Sequence, residues 1–288
     1  MVARLALALV VMGCALALAC TGAPPTPKPE QYFKDAQANL AGLEFDTALK
    51  NLDRMTKAAG EGPLAQQGMA LRAAVHASLA EASKEMAEAF GTGAKQPSAA
   101  PRRSEFTKER SDSYSMARTR LISSLEGLAE QRGKLGAEAV PLTLPFPSFT
   151  GTESQALARL KSGGAVGEAE LRRAELEAAR NALARNLARL AGAGDDVNKG
   201  KALFDKGGVQ VDPRVYLLEM SNTLMRLAEI FGRPALDDPK YQRLALELLR
   251  DTADVVLQKL QDKPDQDLET RAKKLKADCE KQLKALSK

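Results

Sequence analysis

The stretch EQYFKDAQANLAGLEFDTALKNLDRMTKAAGEGP, Glu30 to Pro63, decides the fold. Tyr32, Ala36 and Leu40 lie one helical turn apart, and Phe45, Ala48, Leu49 and Leu52 repeat the pattern after Gly42. Two apolar stripes of period 3.6 with a break between them predict a helical hairpin. Ala36 and Ala48 let the two helices approach closely, while Tyr32, Phe45 and Leu52 fill the sides.

This arrangement resembles one tetratricopeptide-repeat unit. The family places small residues where Ala36 and Ala48 stand and large ones at Tyr32, Phe45 and Leu52, and Glu44 to Leu49 is the nearest local match. Gly60 stands where the family often has Pro, and Asp35 where it has Leu. The resemblance covers about 34 residues, whereas stable arrays need roughly three repeats. An ordinary helical hairpin fits the same pattern.

Outward from the hairpin, the helical period continues. Leu64 to Phe90 carries Leu71, Val75, Leu79, Met86 and Phe90 near one face. Residues 91–104, GTGAKQPSAAPRRS, have a linker's composition and predict a domain boundary or a loop. Phe106 to Lys134 turns Tyr114, Leu121, Leu125 and Leu128 inward. In AVPLTLPFPSFTGT, Pro141, Pro145 and Pro147 forbid a regular helix. The apolar Leu142, Leu144, Phe146 and Phe149 then suit either a loop packed across the helices or an exposed docking strand. Gly167 to Leu190 reads as a helix with an Arg/Glu face, interpreted as solvated. Residues 191–211 read as irregular, with Val209–Val211 a short strand beside residues 140–144. Asp212-Pro213 and Asp238-Pro239 each supply a capping carboxylate before a Pro at the first helical position. The helix after Asp212 is apolar on a wide face and is expected at the centre. Leu268, Ala272, Leu275, Cys279, Leu283 and Leu286 mark a narrow stripe on a final Lys-rich helix.

The expected fold class is therefore all-α, with antiparallel helices in a tetratricopeptide-like solenoid or a bundle. The expected division is a leader over 1–19, a tether over 20–30, a hairpin region over 31–90, a linker over 91–104 and a helical domain over 105–288.

At the N-terminus, Arg4 precedes 15 residues without charge, Leu5 to Ala19. That run is short of the roughly 20 needed to span a bilayer and has the order of an export signal. Ala17-Leu18-Ala19-Cys20 resembles the lipobox of bacterial lipoproteins, although Leu18 sits one place later than the family's usual Leu. The resemblance implies a diacylglyceryl group on Cys20, cleavage before it and acylation of the new amine. Val11-Met12-Gly13-Cys14 competes as a processing site, and Ala17-Leu18-Ala19 also fits an ordinary secretory cleavage site. Cys20 is favoured because Pro24, Pro25, Pro27 and Pro29 follow it. Such a run prefers an extended stalk at about 3.1 Å per residue. Thr21 after the Cys, where Asp would resemble an inner-membrane retention signal, implies the periplasmic side of the outer membrane.

Without residues 1–19 the chain keeps 41 Lys+Arg against 37 Asp+Glu. The excess is small and spread out, aromatic residues are 4% and Trp is absent, so no nucleic-acid face is expected. Cleavage at Cys20 leaves Cys279 as the one free thiol, so no internal disulfide is possible. His76 is the only His, which excludes a His-rich metal site, and no G-x-S-x-G elbow accompanies it. Five residues separate Gly194 and Gly200, and Ala202 follows Lys201, which breaks a Walker motif. No cofactor is expected.

The expected function is a lipid-anchored scaffold or protein-binding module of the cell envelope, and not an enzyme. Tyr32, Phe45, Leu142, Phe146 and Phe149 are the candidate contacts with an envelope protein. A carrier of an apolar ligand is the alternative, and an envelope hydrolase ranks below it.

Overall fold

Helix α3, Pro63–Gly93, is the axis around which the chain is built. The computed structural model describes residues 27–134, 140–143, 155–205 and 208–287. Cys20, the leader, Phe146 and Phe149 lie outside the described residues. Among the described residues there are ten α-helices and two three-residue strands, so the fold is all-α.

Helices α1 (Pro29–Ala41) and α2 (Phe45–Ala59) form the first hairpin. Ala36, Leu40, Ala48 and Leu52 are buried in it, as the stripe requires. Pro29 opens α1 at a position where a missing N–H costs nothing. The turn after α1 is made by Leu43, with φ +61°, while the preceding Gly42 has φ −80°. A left-handed conformation at a residue with a Cβ costs about 1–2 kcal/mol. The side chain of Leu43 packs against the core, which offsets part of that cost.

Helix α3 runs 31 residues and buries nearly every face. Nine of its 18 buried residues are Ala, and small side chains let several helices approach one axis. Helix α4, Arg103–Lys134, packs along it most extensively. Gly127 lies against Ala73, and Ser124 Oγ donates to the Ala73 carbonyl at 2.9 Å.

Between α3 and α4, residues 91–104 hold the end of α3, a 3-10 turn over Pro97–Arg102 and the start of α4. This turn seats against the residues that follow α5, Ala156–Lys161. Ser98 Oγ donates to the Ser162 carbonyl at 2.7 Å, and Arg102 donates to the Gly163 carbonyl at 2.9 Å. Phe90 and Phe106 meet edge to face beside Leu160 in a small separate core.

Strand β1, Val140–Leu142, pairs antiparallel with β2, Val209–Val211, in the register Val140 opposite Val211. The pairing expected from the sequence is present. Helix α6, Glu168–Leu190, differs from its expected role. The Arg/Glu face is solvated at Glu168, Arg172 and Arg173 as expected, but Glu177 and Arg180 are buried, and Arg185 and Arg189 both reach Glu81 of α3. The Ala-rich surface of α3 leaves room for long side chains to lie flat, and ion pairing makes their burial tolerable.

Helix α7, Val197–Asp205, occupies a stretch read as irregular. Asp196 Oδ1 accepts from the Asn198 and Lys199 amides, which caps it. Gly200 obscured it, because Gly disfavours helix interiors. A Cβ on Gly200 would stand 2.1 Å from the Ala184 carbonyl oxygen, so glycine is what lets α7 lie on α6.

Helix α8, Pro213–Ala228, is central as expected, touching α3, α4, α6, α9 and α10. Asp212 caps it by accepting from the Arg214 amide at 2.8 Å. Asp238 caps α9, Pro239–Asp262, and Asp265 caps α10, Gln266–Leu286. Helices α9 and α10 form a second hairpin, closed over Leu268, Ala272, Leu275 and Cys279.

Candidate functional site

Four elements leave a cleft of about 790 Å³ between them, open to solvent. Three of them present one face each at helical spacing. Helix α3 contributes Leu79, Ala82, Ser83 and Met86; α4 contributes Ser115, Met116, Thr119 and Arg120; α6 contributes Arg172, Glu175, Leu176 and Ala179. The fourth wall is the turn into α2, from Leu43 to Thr47, with the left-handed Leu43 at its edge. The floor is apolar and the rim carries both signs of charge. Met116 is 50% exposed, an unusual state for a large apolar side chain in this chain.

Of the residues singled out from sequence, the structure places Phe45 in the wall of this cleft, with its ring nearly buried. Tyr32 is half-buried against the core on α1, away from the cleft lining. Leu142 is 3% exposed, with its side chain in the core beneath β1. The structure therefore does not bring Tyr32, Phe45 and Leu142 together. Met116, Arg172 and Glu175 were missed. The periodicity placed Leu79 and Met86 on an inward face, but no stripe reveals whether a neighbour covers it.

A second hollow, about 710 Å³, lies on the other side of the Arg120–Asp46 ion pair. That pair, 2.5 Å long, borders both spaces and ties α2 to α4. Arg72 joins Asp53 at 3.0 Å and Glu130 at 3.2 Å across the second hollow. His76 sits among these groups with Nδ1 buried and unpartnered. Burial, then Arg120 and Arg72, push its pKa down to about 4. The imidazole is neutral at physiological pH.

In the first cleft, burial raises the pKa of Glu175, with Arg172 opposing the shift and Glu109 adding to it. Burial and Asp278 raise that of Cys279 to about 11, and the thiol lies 4.0 Å from the Met225 sulfur. Such a thiol is inert and acts as a small apolar side chain. Among the described residues no group of three or more His, Cys, Asp or Glu side chains could hold a metal ion. No helix among them is long and apolar enough to cross a membrane. The cleft presents an apolar floor with charged side chains of both signs at its rim.

Comparison with known proteins finds no matching family model, curated protein or solved structure.

Proposed function

We propose that this chain is an exported lipoprotein, fastened through Cys20, whose helical body holds a segment of another envelope protein in the cleft between α2, α3, α4 and α6. The observation that carries the reading is an open apolar floor, supplied at helical spacing by three helices and rimmed with charge. An amphipathic helix laid in a hydrophobic groove uses that geometry. The anchor follows from the lipobox-like Ala17 to Cys20, and its two or more acyl chains would hold firmly where one is marginal. The Pro-rich run would lift the body off the outer-membrane surface. Binding, not catalysis, is the role proposed.

A carrier of an apolar small molecule is the second reading, favoured by the cleft volume, which falls within the range of ligand pockets. Its openness favours a polymer, because small-ligand sites bury most of the ligand.

Fractionation of cells making the wild type and Cys20→Ala tests the anchor. The wild type should sediment with outer membranes and yield an N-terminal peptide carrying lipid, and the variant should lose that lipid. An unmodified Cys20 on a freely diffusing product would contradict the reading.

A further inference from the structure

The chain's excess of positive charge is not spread out as expected. Residues 271–288 hold seven of the 42 Lys and Arg and two of the 37 Asp and Glu, so the rest of the chain balances at 35 of each. Most of that stretch lies in α10, which packs on α9 and α8 and turns its other face to solvent.

Packing does not use all of this charge. Lys273 pairs with Glu269 at 2.6 Å, Lys276 with Asp254 at 2.8 Å, and Arg271 with Glu219 and Asp267. Lys274, Lys281 and Lys284 are exposed, and among the described residues no hydrogen bond or ion pair reaches them. At 3.6 residues per turn these three, with Ala277 between them, share an arc of about 80° along about 15 Å of the axis. Leu275 and Cys279 face the other way, into the core. The two acids of the stretch, Asp278 and Glu280, fall outside the arc, one on each side. The outward stripe is cationic throughout.

Its composition selects the partner's chemistry. Nucleic-acid faces use Arg and stacking aromatics, and the stripe has neither. Protein interfaces are depleted in Lys and centre on large apolar or aromatic anchors, whereas only Ala277 stands among these lysines. Point charges on long flexible stems suit a fluid layer of anions, which demands no fixed geometry.

From charge, exposure and composition together, we infer that the outward face of α10 lies on a surface of anionic phospholipid. Each Lys near such a surface contributes roughly fivefold to the partition, and three contribute on the order of a hundredfold. That orients a body already held nearby and is too little to anchor a free one. The inference goes beyond the Cys20 anchor and does not require it.

The full-length product purified from cells, with Ala277→Cys carrying an environment-sensitive fluorophore, tests it. Vesicles of phosphatidylcholine alone are compared with vesicles containing about 30% phosphatidylglycerol at low salt. Any lipid on Cys20 acts alike on both. The fluorophore should shift to the blue on the anionic vesicles at a lipid concentration at least about tenfold lower than on the neutral ones, and high salt should abolish the difference. The combined Lys274→Glu, Lys281→Glu and Lys284→Glu variant should lose it too, with helix content unchanged by circular dichroism because all three side chains are exposed. The same fluorophore at Ala58→Cys, on an exposed position of α2, should show no such difference. Equal responses to the two vesicles, a difference that survives the triple substitution, or an equal difference at position 58 would overturn the inference. A response to polyglutamate but not to anionic vesicles, lost in the triple variant, would assign the stripe to an acidic protein segment and overturn it as well.

Discussion

Hairpin α1–α2 and hairpin α9–α10 are built from the same pattern, two amphipathic helices packed on a central helix. They meet the body differently. Helix α9 is sealed against α4 and α8. Arg118 pairs with Asp238 at 3.3 Å and lies over the Tyr241 ring at 4.4 Å, and Arg214 donates to the Lys263 carbonyl at 2.5 Å. Helix α10 is tied to α8 through Arg271 and Glu219. Helix α2 is buried along one face from Phe45 and Ala48 to Leu52 and Met55. Its first turn stands at the rim of the cleft, held across to α4 by Arg120 and Asp46. One hairpin thus closes a core, and the other leaves a core face open.

The sharpest way to break this comparison is to cut into each hairpin. Leu249→Ala in α9 removes a fully buried side chain from a sealed environment and should cost about 2–5 kcal/mol in urea denaturation. Phe45→Ala, whose ring already borders open space, should fall at or below the low end of that range. It should also weaken capture of a partner segment in the cleft, which Leu249→Ala should leave unchanged. Equal costs would mean that α2 is as sealed as α9.

Acid should separate the hairpins next. His76, beneath α2, has a folded pKa near 4 and an ordinary unfolded value of 6.5. The unfolded chain therefore takes up the proton first. Stability from this residue is complete above about pH 6.5 and is lost as the pH falls from there towards 4. The loss is about 3 kcal/mol at most. Urea denaturation at pH 7 and pH 4.5 should show the decline, and His76→Gln should flatten it. An unchanged slope in the variant would remove His76 from the account.

Smaller effects are expected at two helical glycines. A Cβ on Gly200 meets a backbone carbonyl oxygen that cannot move, so Gly200→Ala should cost about 1–3 kcal/mol. A Cβ on Gly68 meets the Met55 methyl, 1.9 Å away at the end of a flexible side chain. Gly68→Ala, under the first hairpin, should cost less than about 1 kcal/mol, because Met55 can swing aside and Ala favours the helix. Thermal melts of the two variants give the order directly.

Much of the helical fold was legible because its signals are local. The stripe Leu268, Ala272, Leu275, Cys279 is one-sided and became the buried face of α10. The Asp-Pro pairs at 212 and 238 became capped starts, and Val209–Val211 found its partner strand. Helix α7 was hidden because the reason for Gly200 lies in α6, not in its own neighbourhood. The charged face of α6 misled because its ion-pair partner, Glu81, is 104 residues from Arg185 and 108 from Arg189. The cleft was illegible for a related reason. Leu79, Met86 and Leu176 carry the same periodic signal as core residues, and only the placement of α2 leaves them near open space.

Among the described residues, Met116 in the cleft and Leu244 on α9 are the two large apolar side chains that stand 50% exposed, one beside each hairpin. A photo-crosslinking amino acid placed at each position in turn, in living cells, tests the central claim most directly. The account predicts a discrete protein adduct from position 116 and none from position 244. Equal adducts from both positions, or an adduct from 244 alone, would contradict it.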